Sequence, residues 1–123
     1  MLVAELADPP LISVVMPVYE PSESHLREAI DSVIDQVYPR WELCIADDAS
    51  PSEWIPRVLA EYARSDERIR VIRRATNGHI SAATNTALSL AVGRFVGFLD
   101  HDDTLAETAL ALVALTISGA PDL

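Results

Sequence analysis

Residues 11–17 have the sequence LISVVMP, a nearly continuous apolar run of strand length. Similar runs are WELCIA at 41–46 and RFVGFLD at 94–100, and RIRVIR at 68–73 is the fourth predicted strand. Strands that are apolar along their whole length are typical of parallel sheets, because helices cover both faces of such sheets. The three apolar runs therefore predict strands that are buried on both faces.

Helical patterns separate the four predicted strands. In residues 24–37, SHLREAIDSVIDQV, the apolar side chains recur at the spacing of one helix face: Leu26, Ala29, Ile30, Val33, Ile34 and Val37. Capping boxes at 50–53 and 104–107 predict that two further helices begin there, with Ser50 and Thr104 as caps. Another helix is predicted from about residue 80 to 91. This alternation predicts a three-layer α/β/α fold with a mainly parallel sheet.

The composition is that of one globular domain. The chain has 123 residues, half of them hydrophobic, and its net charge is −10 because 19 acidic residues face nine arginines and no lysine. An acidic surface repels polyanions, which disfavours nucleic acid and anionic membranes as partners. Residues 1–10 are predicted to be a lead-in segment, and residues 11–123 form the predicted domain.

The cysteine content and the hydropathy bear on the cellular setting. The single cysteine, Cys44, excludes an internal disulfide and a cysteine-based zinc cluster, and its apolar neighbours predict a buried structural thiol. No apolar run approaches the ~20 residues of a membrane-spanning helix. The N-terminus lacks the basic start of a signal peptide. We therefore expect a cytoplasmic protein.

Two acidic clusters follow predicted strands, Asp47–Asp48 after the second and Asp100–Asp103 after the fourth. Ligands of open α/β sheets bind at the carboxyl ends of the strands, so both clusters are expected at one rim of the sheet. Carboxylates also favour helix N-termini, and Asp47 fits either a structural or a functional role. Three carboxylates within four positions exceed what a cap needs. Their repulsion would cost stability unless a cation relieved it.

Residues that other protein families require and that this chain lacks argue against other functions for the acidic string DHDDT. It fits the Asp-x-Asp-x-Thr nucleophile motif of haloacid-dehalogenase-like phosphatases, but Asp103 replaces the usual glycine and the chain has no lysine to hold phosphate. A response-regulator receiver domain also needs a lysine. So does a Walker-type phosphate loop, and no G-x-G-x-x-G pattern occurs. A divalent metal held by carboxylates, Mn²⁺ or Mg²⁺, is the predicted substitute for a glycine-rich phosphate loop.

Four segments together resemble the family 2 glycosyltransferases of the inverting, GT-A type. They are ISVVMPVYE (12–20), CIADDAS (44–50), NGHISAATN (77–85) and GRFVGFLDHDDTL (93–105), and the resemblance extends over residues 11–123. It implies a Rossmann-like half that binds a nucleotide-diphosphate sugar. It also implies transfer of the sugar to the hydroxyl of a saccharide or lipid-linked acceptor. The family's common setting is cell-surface polysaccharide biosynthesis, which implies a position peripheral to the inner membrane for the full-length protein.

The resemblance also implies roles for individual residues. Tyr19 is expected to pack against the base and Asp48 to accept its ring N–H. Asp100 and Asp102 match the family's D-x-D motif, with Asp102 as the main metal ligand and Asp100 shared between metal and ribose. Glu20 stands where the family usually has asparagine. The full set of expected nucleotide-sugar-binding residues is Pro17, Tyr19, Glu20, Asp48, Asn77, Gly78, Asn85, Asp100 and His101.

The catalytic base of the family is expected beyond Leu123, so we expect the chain to be the donor-binding part of a longer domain. Such a part should bind metal and nucleotide but transfer little or no sugar. A second class of function is a non-catalytic α/β interaction module. Apolar surface exposed in such a part would also favour self-association.

Overall fold

The computed structural model describes residues 8–117, in which four strands alternate with four helices. The strands are β1 (Ile12–Val18), β2 (Trp41–Asp47), β3 (Ile69–Arg73) and β4 (Phe95–Phe98). The helices are α1 (Glu23–Ile34), α2 (Trp54–Ser65), α3 (His79–Leu88) and α4 (Ala109–Ile117). Every strand pairing is parallel, and the sheet order is β3-β2-β1-β4. The predicted α/β fold is confirmed.

The central strand β1 contributes to two cores. It pairs with β2 from Ile12 to Val18 and with β4 from Ile12 to Val15, so residues 12–15 lie between two strands. Successive strand side chains point to opposite faces. One face packs in the large core with α1, α2 and α4, and Val15 packs in a smaller core with Ala87 of α3. These two cores make the three layers.

Helix α1 follows the predicted periodicity but ends early. Leu26, Ala29, Ile30 and Val33 are buried, and the Ser22 hydroxyl caps the helix by accepting a hydrogen bond from the His25 N–H at 3.2 Å. Val37 was wrongly placed on the buried face, because it lies beyond the helix and is 56% exposed. The chain turns there to meet the segment before α4, where the Val37 N–H donates to the Glu107 carbonyl at 3.0 Å.

Both predicted capping boxes are wrong. Helix α2 begins at Trp54, and the Ser50 hydroxyl instead accepts a hydrogen bond from the Glu20 N–H at 3.0 Å. Helix α4 begins at Ala109, five residues after Thr104. The capping pattern considers only residues that are close in the sequence, whereas the hydrogen-bond partner of Ser50 lies in another loop. Helix α3 matches its prediction within three residues at its C-terminus.

Strand β4 was wrongly predicted to be buried on both faces. It is the last strand of the sheet, and its outer edge has no pairing strand among residues 8–117. Val96 and Phe98 are 40% and 64% exposed on the same side as Val15, because α3 covers β1 and β2 and leaves β4 open. An apolar run predicts a strand, but the neighbours that cover it depend on the sheet order.

A buried carboxylate joins three segments at the amino-terminal rim of the sheet. Glu42 of β2 accepts hydrogen bonds at Oε2 from the Ser13 hydroxyl at 2.5 Å and from the Val92 N–H at 2.7 Å. The Gly93 N–H donates to the Ser13 hydroxyl oxygen at 2.8 Å. This network fixes the chain just before β4, and β4 leads into Asp100–Asp103.

Two further predictions concern burial and hydropathy. Cys44 is buried, and this burial raises the pKa of its thiol to about 12, as a structural thiol requires. Between residues 8 and 117, no helix has both the length and the apolar character needed to cross a membrane. Residues 1–7 of the predicted lead-in lie outside the described residues.

Candidate functional site

A cavity of about 670 Å³ opens at the carboxyl rim of the sheet. It lies where β1, β2 and β4 end, facing the first turn of α3. Seven of the predicted site residues line it: Pro17, Tyr19, Asp48, Asn77, Asp100, His101 and Asp102. The rim therefore brings together residues that are up to 85 positions apart in the sequence (Pro17 to Asp102). This agrees with the expectation that ligands of open α/β sheets bind at the carboxyl ends of the strands.

The remaining wall was not predicted. It consists of Val18 from β1 and of His79, Ile80 and Ala83 from the start of α3. Ile80 is 64% exposed although it is a large apolar residue. An apolar residue in the first turn of a helix that starts at the rim is a sequence signal that could have identified this wall.

Three predicted residues are not among those that line the cavity: Glu20, Gly78 and Asn85. The Glu20 carboxylate turns to the loop after β2, where it accepts hydrogen bonds from the Ser52 N–H at 2.8 Å and from the Ser52 hydroxyl at 2.7 Å. Asn85 lines a neighbouring depression on α3 together with Ser81 and Thr84, and Ile80 borders both this depression and the cavity. The hydrogen bonds between Glu20 and Ser52 link the loops that follow β1 and β2. The Glu20 backbone is left-handed, with φ of 46°.

Asp48 is a buried carboxylate with one oxygen in use. Its side chain is 2% exposed, and its Oδ1 accepts a hydrogen bond from the Gly78 N–H at 3.0 Å. The Arg74 Nε atom lies 2.9 Å from the same oxygen and compensates its charge. Oδ2 has no hydrogen-bond partner among the described residues, and Asp48 lines the cavity. This residue can therefore offer a charged acceptor to a bound molecule.

Asp47 has a structural role on the opposite side of the sheet. Its Oδ2 contacts the Arg73 Nη1 atom at 2.5 Å, and its Oδ1 accepts a hydrogen bond from the Ser50 N–H at 3.0 Å. Asp47 lines a different cavity, of about 410 Å³, beside α2. The two neighbouring carboxylates therefore serve different faces, as the alternation of strand side chains requires.

The turn after β4 gathers three carboxylates. The Asp103 N–H donates to the Asp100 carbonyl at 3.1 Å and closes the turn. Carboxylate oxygens of Asp100, Asp102 and Asp103 lie within 4.8 Å of one another, and all three residues are exposed. Such oxygen donors suit Mg²⁺ and Mn²⁺. Asp103 belongs to the predicted acidic cluster but is not among the expected metal ligands, and α4 begins six residues after it.

Tyr19 and His101 connect the loops at the two ends of the cavity. Tyr19 is 45% exposed and lines the cavity just after the end of β1. Its N–H donates to the His101 Nδ1 atom at 3.4 Å, so that nitrogen acts as an acceptor. Tyr19 and Asp48 thus line the same cavity as the carboxylate turn.

Comparison with known proteins identifies the family. A sequence model described as "Glycosyl transferase family 2" matches residues 13–121, and the chain belongs to that family. The uncharacterized protein y4gI of Sinorhizobium fredii is 50% identical over 121 residues. The O-antigen biosynthesis protein RfbC of Myxococcus xanthus is 46% identical over 121 residues. Both matches cover 98% of this chain but only 13% and 10% of these relatives, so the chain spans a small part of their length.

Solved structures confirm the GT-A type of fold. Staphylococcus aureus TarS 1–349 in complex with UDP-GlcNAc superposes with a TM-score of 0.77 and 32% identity, over 87% of this chain and 31% of TarS. The mannosyltransferase PcManGT from Pyrobaculum calidifontis, in complex with GDP-Man and Mn²⁺, gives a TM-score of 0.75 and 25% identity. That match covers 85% of this chain and 31% of PcManGT.

Proposed function

We propose that this chain is the donor-binding part of an enzyme that transfers a sugar from a nucleotide-diphosphate sugar to an acceptor hydroxyl. The observation that carries the proposal is the single cavity that joins Tyr19, Asp48 and the carboxylate turn at Asp100–Asp103. One end offers a ring and a hydrogen-bond acceptor, and the other offers metal ligands. A nucleoside diphosphate needs both. Membership of the glycosyltransferase family and the ligands of TarS and PcManGT support this assignment.

The donor's base is assigned to the end of the cavity near β1 and β2. Tyr19 packs against the ring of the base, and Asp48 accepts its ring N–H through Oδ2. Pro17, Asn77 and Gly78 complete this end, with Gly78 acting through its hydrogen bond to Asp48. Glu20 contributes indirectly by holding the loop beside Tyr19, and Asn85 is left outside the contact set because it lines another depression.

The diphosphate and the ribose are assigned to the turn after β4. Asp102 and Asp100 hold a divalent cation, Mn²⁺ or Mg²⁺, and Asp103 is close enough to join them. Asp100 and His101 lie on the ribose side. When bound, the cation neutralises the charge of the diphosphate as the glycosidic bond breaks, because a nucleoside diphosphate is otherwise a poor leaving group.

The acceptor and the setting come from the family and from RfbC. The name of RfbC places it in O-antigen biosynthesis, which supports a saccharide or lipid-linked acceptor and a role in cell-surface polysaccharide biosynthesis. Inverting transfer needs a base on the far side of the donor sugar. We assign that base to the part of the longer relatives that this chain does not span, so the chain by itself should transfer little or no sugar. The cytoplasmic location, peripheral to the inner membrane, stays a prediction.

Calorimetric titration tests the proposed donor site. UDP, GDP and dTDP are each titrated into the 123-residue chain with and without Mn²⁺. At least one should bind, and Mn²⁺ should strengthen its binding. Asp102→Ala should remove the Mn²⁺ dependence, whereas Asp35→Ala, which changes an exposed carboxylate after α1, should not. The proposal fails if no nucleotide binds or if Asp102→Ala keeps the full Mn²⁺ effect.

Self-association is a second property that one observation favours. Among residues 8–117 the outer edge of β4 has no pairing strand, and Val96 and Phe98 are exposed on the sheet face beside it. Exposed apolar edges invite pairing with another chain. We infer that two copies can associate through this edge. Sedimentation velocity should then show a concentration-dependent dimer that Phe98→Ser weakens, with or without nucleotide. A monomer at all concentrations would contradict this inference.

A further inference from the structure

We propose that Arg74 is a positioning residue that sets which nucleotide bases the cavity accepts, an inference that rests on the proposed function. Two adjacent Arg–Asp pairs stand at the ends of β2 and β3. Arg73 lies opposite Asp47 in the sheet, and the Arg74 N–H donates to the Asp47 carbonyl at 2.8 Å, which extends the ladder by one bond. Side chains alternate along this ladder. Arg73 with Asp47 therefore faces α2, and Arg74 with Asp48 faces α3 and the cavity.

The guanidinium of Arg74 is held from two sides. Its Nη1 atom donates to the Thr86 hydroxyl of α3 at 2.5 Å, and its Nε atom lies 2.9 Å from Asp48 Oδ1. Nε is buried and makes no directed hydrogen bond to any described residue, so its contact with Asp48 is an ion pair. The Arg74 side chain is 25% exposed. It is thus fixed between α3 and the carboxylate and does not extend into solvent.

The absence of a side chain at Gly78 makes room for this arrangement. A Cβ atom there would lie 2.6 Å from Arg74 Nη2 and 2.7 Å from the Cβ of Ala82. The backbone of Gly78 has φ of −120°, so its conformation does not itself require glycine. The Gly78 N–H also donates to Asp48 Oδ1. Gly78 and Arg74 therefore act on the same carboxylate oxygen.

Occupation of Oδ1 leaves Oδ2 for the ligand. An ionised carboxylate oxygen accepts hydrogen bonds and donates none. Uracil, thymine and guanine carry an N–H on the ring nitrogen of their pairing edge, whereas cytosine and adenine carry an acceptor there. With Asp48 fixed, the site should favour UDP, dTDP and GDP over CDP and ADP. UDP and CDP differ only at this edge, which makes them the matched pair for a test.

The test is the ratio of the CDP and UDP dissociation constants, measured by calorimetry with Mn²⁺. The unsubstituted chain should prefer UDP on the order of tenfold or more, as expected for a hydrogen bond to a charged acceptor. Arg74→Met should bring the ratio close to one by weakening UDP alone, because the carboxylate can then rotate away from the base. Arg74→Lys should restore part of the preference, since an ammonium keeps the charge without the planar fork.

Arg73→Met is the matched control, because it removes the neighbouring arginine that pairs with Asp47 on the other face. It should leave the ratio unchanged. If Arg74→Met does not fold, as judged by circular dichroism, Thr86→Val removes the other anchor of the guanidinium and should lower the ratio. Arg74 has no positioning role if its variants weaken UDP and CDP equally.

The proposed function and this inference fail in different ways. If the unsubstituted chain binds none of UDP, GDP and dTDP, the proposed donor site itself is wrong. If it prefers UDP, and Asp48→Asn loses that preference while Arg74→Met keeps it, only the role of Arg74 is wrong.

Discussion

Replacing Glu42 measures how strongly the fold depends on one buried carboxylate. The side chain is 7% exposed, and its Oε2 accepts hydrogen bonds from Ser13 and Val92. Glu42→Ala leaves the Val92 N–H and the Ser13 hydroxyl without this acceptor. A hydrogen bond to a charged group contributes ~1.5–3 kcal/mol, so losing two should cost about 3 kcal/mol at least. The ion pair with Arg70 adds little, because the Arg70 side chain is 43% exposed.

The matching assay is urea unfolding at pH 7, followed by tryptophan fluorescence because Trp41 is buried. With a slope of ~1.5 kcal/mol per molar urea, a loss of about 3 kcal/mol lowers the midpoint by about 2 M. Glu28→Ala is the control, since Glu28 is exposed on α1. Glu42→Gln keeps the shape and one acceptor oxygen, so its cost should be intermediate. Equal midpoints for Glu42→Ala and Glu28→Ala would refute the reasoning.

The same carboxylate predicts a pH dependence. Burial by itself raises the pKa of Glu42, but the hydrogen bonds from Ser13 and Val92 and the contact with Arg70 together hold that pKa below its ordinary value of 4.5. Because the folded-state pKa is lowered, this stabilisation is fully present above about pH 4.5 and is lost as the pH falls through the folded-state pKa. The unfolding free energies of the unsubstituted chain and Glu42→Gln should therefore converge in acid. A constant difference from pH 7 to pH 3 would contradict the assignment.

Three further predictions concern a close contact, a loop and a thiol. Gly93→Ala should destabilise the fold by about 2 kcal/mol in urea unfolding, because the new Cβ atom would lie 2.8 Å from a β1 backbone nitrogen. Gly97→Ala is the control and should be nearly neutral, since a Cβ atom there meets nothing within 4 Å. Glu20→Ala should weaken nucleotide binding several-fold in calorimetry by releasing the loop after β1, while Glu53→Ala in the same region should not. Cys44 should react with a disulfide reagent at pH 8 at least ~10 times more slowly when folded than in urea, because burial raises its pKa from 9.0 to about 12 and so lowers the thiolate fraction.

Each of these three predictions has an outcome that contradicts it. Equal stability of the two glycine variants would mean that the chain before β4 can move away from β1. Unchanged affinity in Glu20→Ala would show that the loop keeps its position without this carboxylate. Rapid modification of the folded thiol would show that the smaller core opens to solvent.

The sheet was predictable because its buried strands correspond to apolar runs in the sequence. Continuous burial over 12–16 and 41–46 favours apolar residues at successive positions, and no other part of the chain has to be known. The exposure of Val96 and Phe98 was not predictable in the same way. It depends on which strand ends the sheet and on where α3 lies, and both are properties of the whole fold.

In the candidate site, the positions of the residues could be predicted from the sequence, whereas their side-chain contacts could not. Strand ends place Tyr19, Asp48 and Asp102 at one rim, and this follows from the parallel order alone. The partners of these residues do not follow from it. Arg74 faces Asp48, and Glu20 faces the loop after β2 and not the cavity, because side-chain directions at a loop are set by tertiary hydrogen bonds. The predicted helix cap at Ser50 is wrong for the same reason, because the Ser50 hydroxyl accepts a hydrogen bond from the Glu20 N–H.

Asp47 and Asp48 point to opposite faces of the sheet, and this limits where residues can be inserted or deleted in homologous proteins. Deleting one residue within β2 would move the side chains that follow it to the opposite face of the sheet, so Asp48 would turn towards α2 and the apolar residues between the deletion and Asp48 would change cores. An insertion between α2 and β3 would disturb neither. We therefore expect length differences among homologous genes to fall in such connections, and the spacing from Trp41 to Asp48 to stay constant.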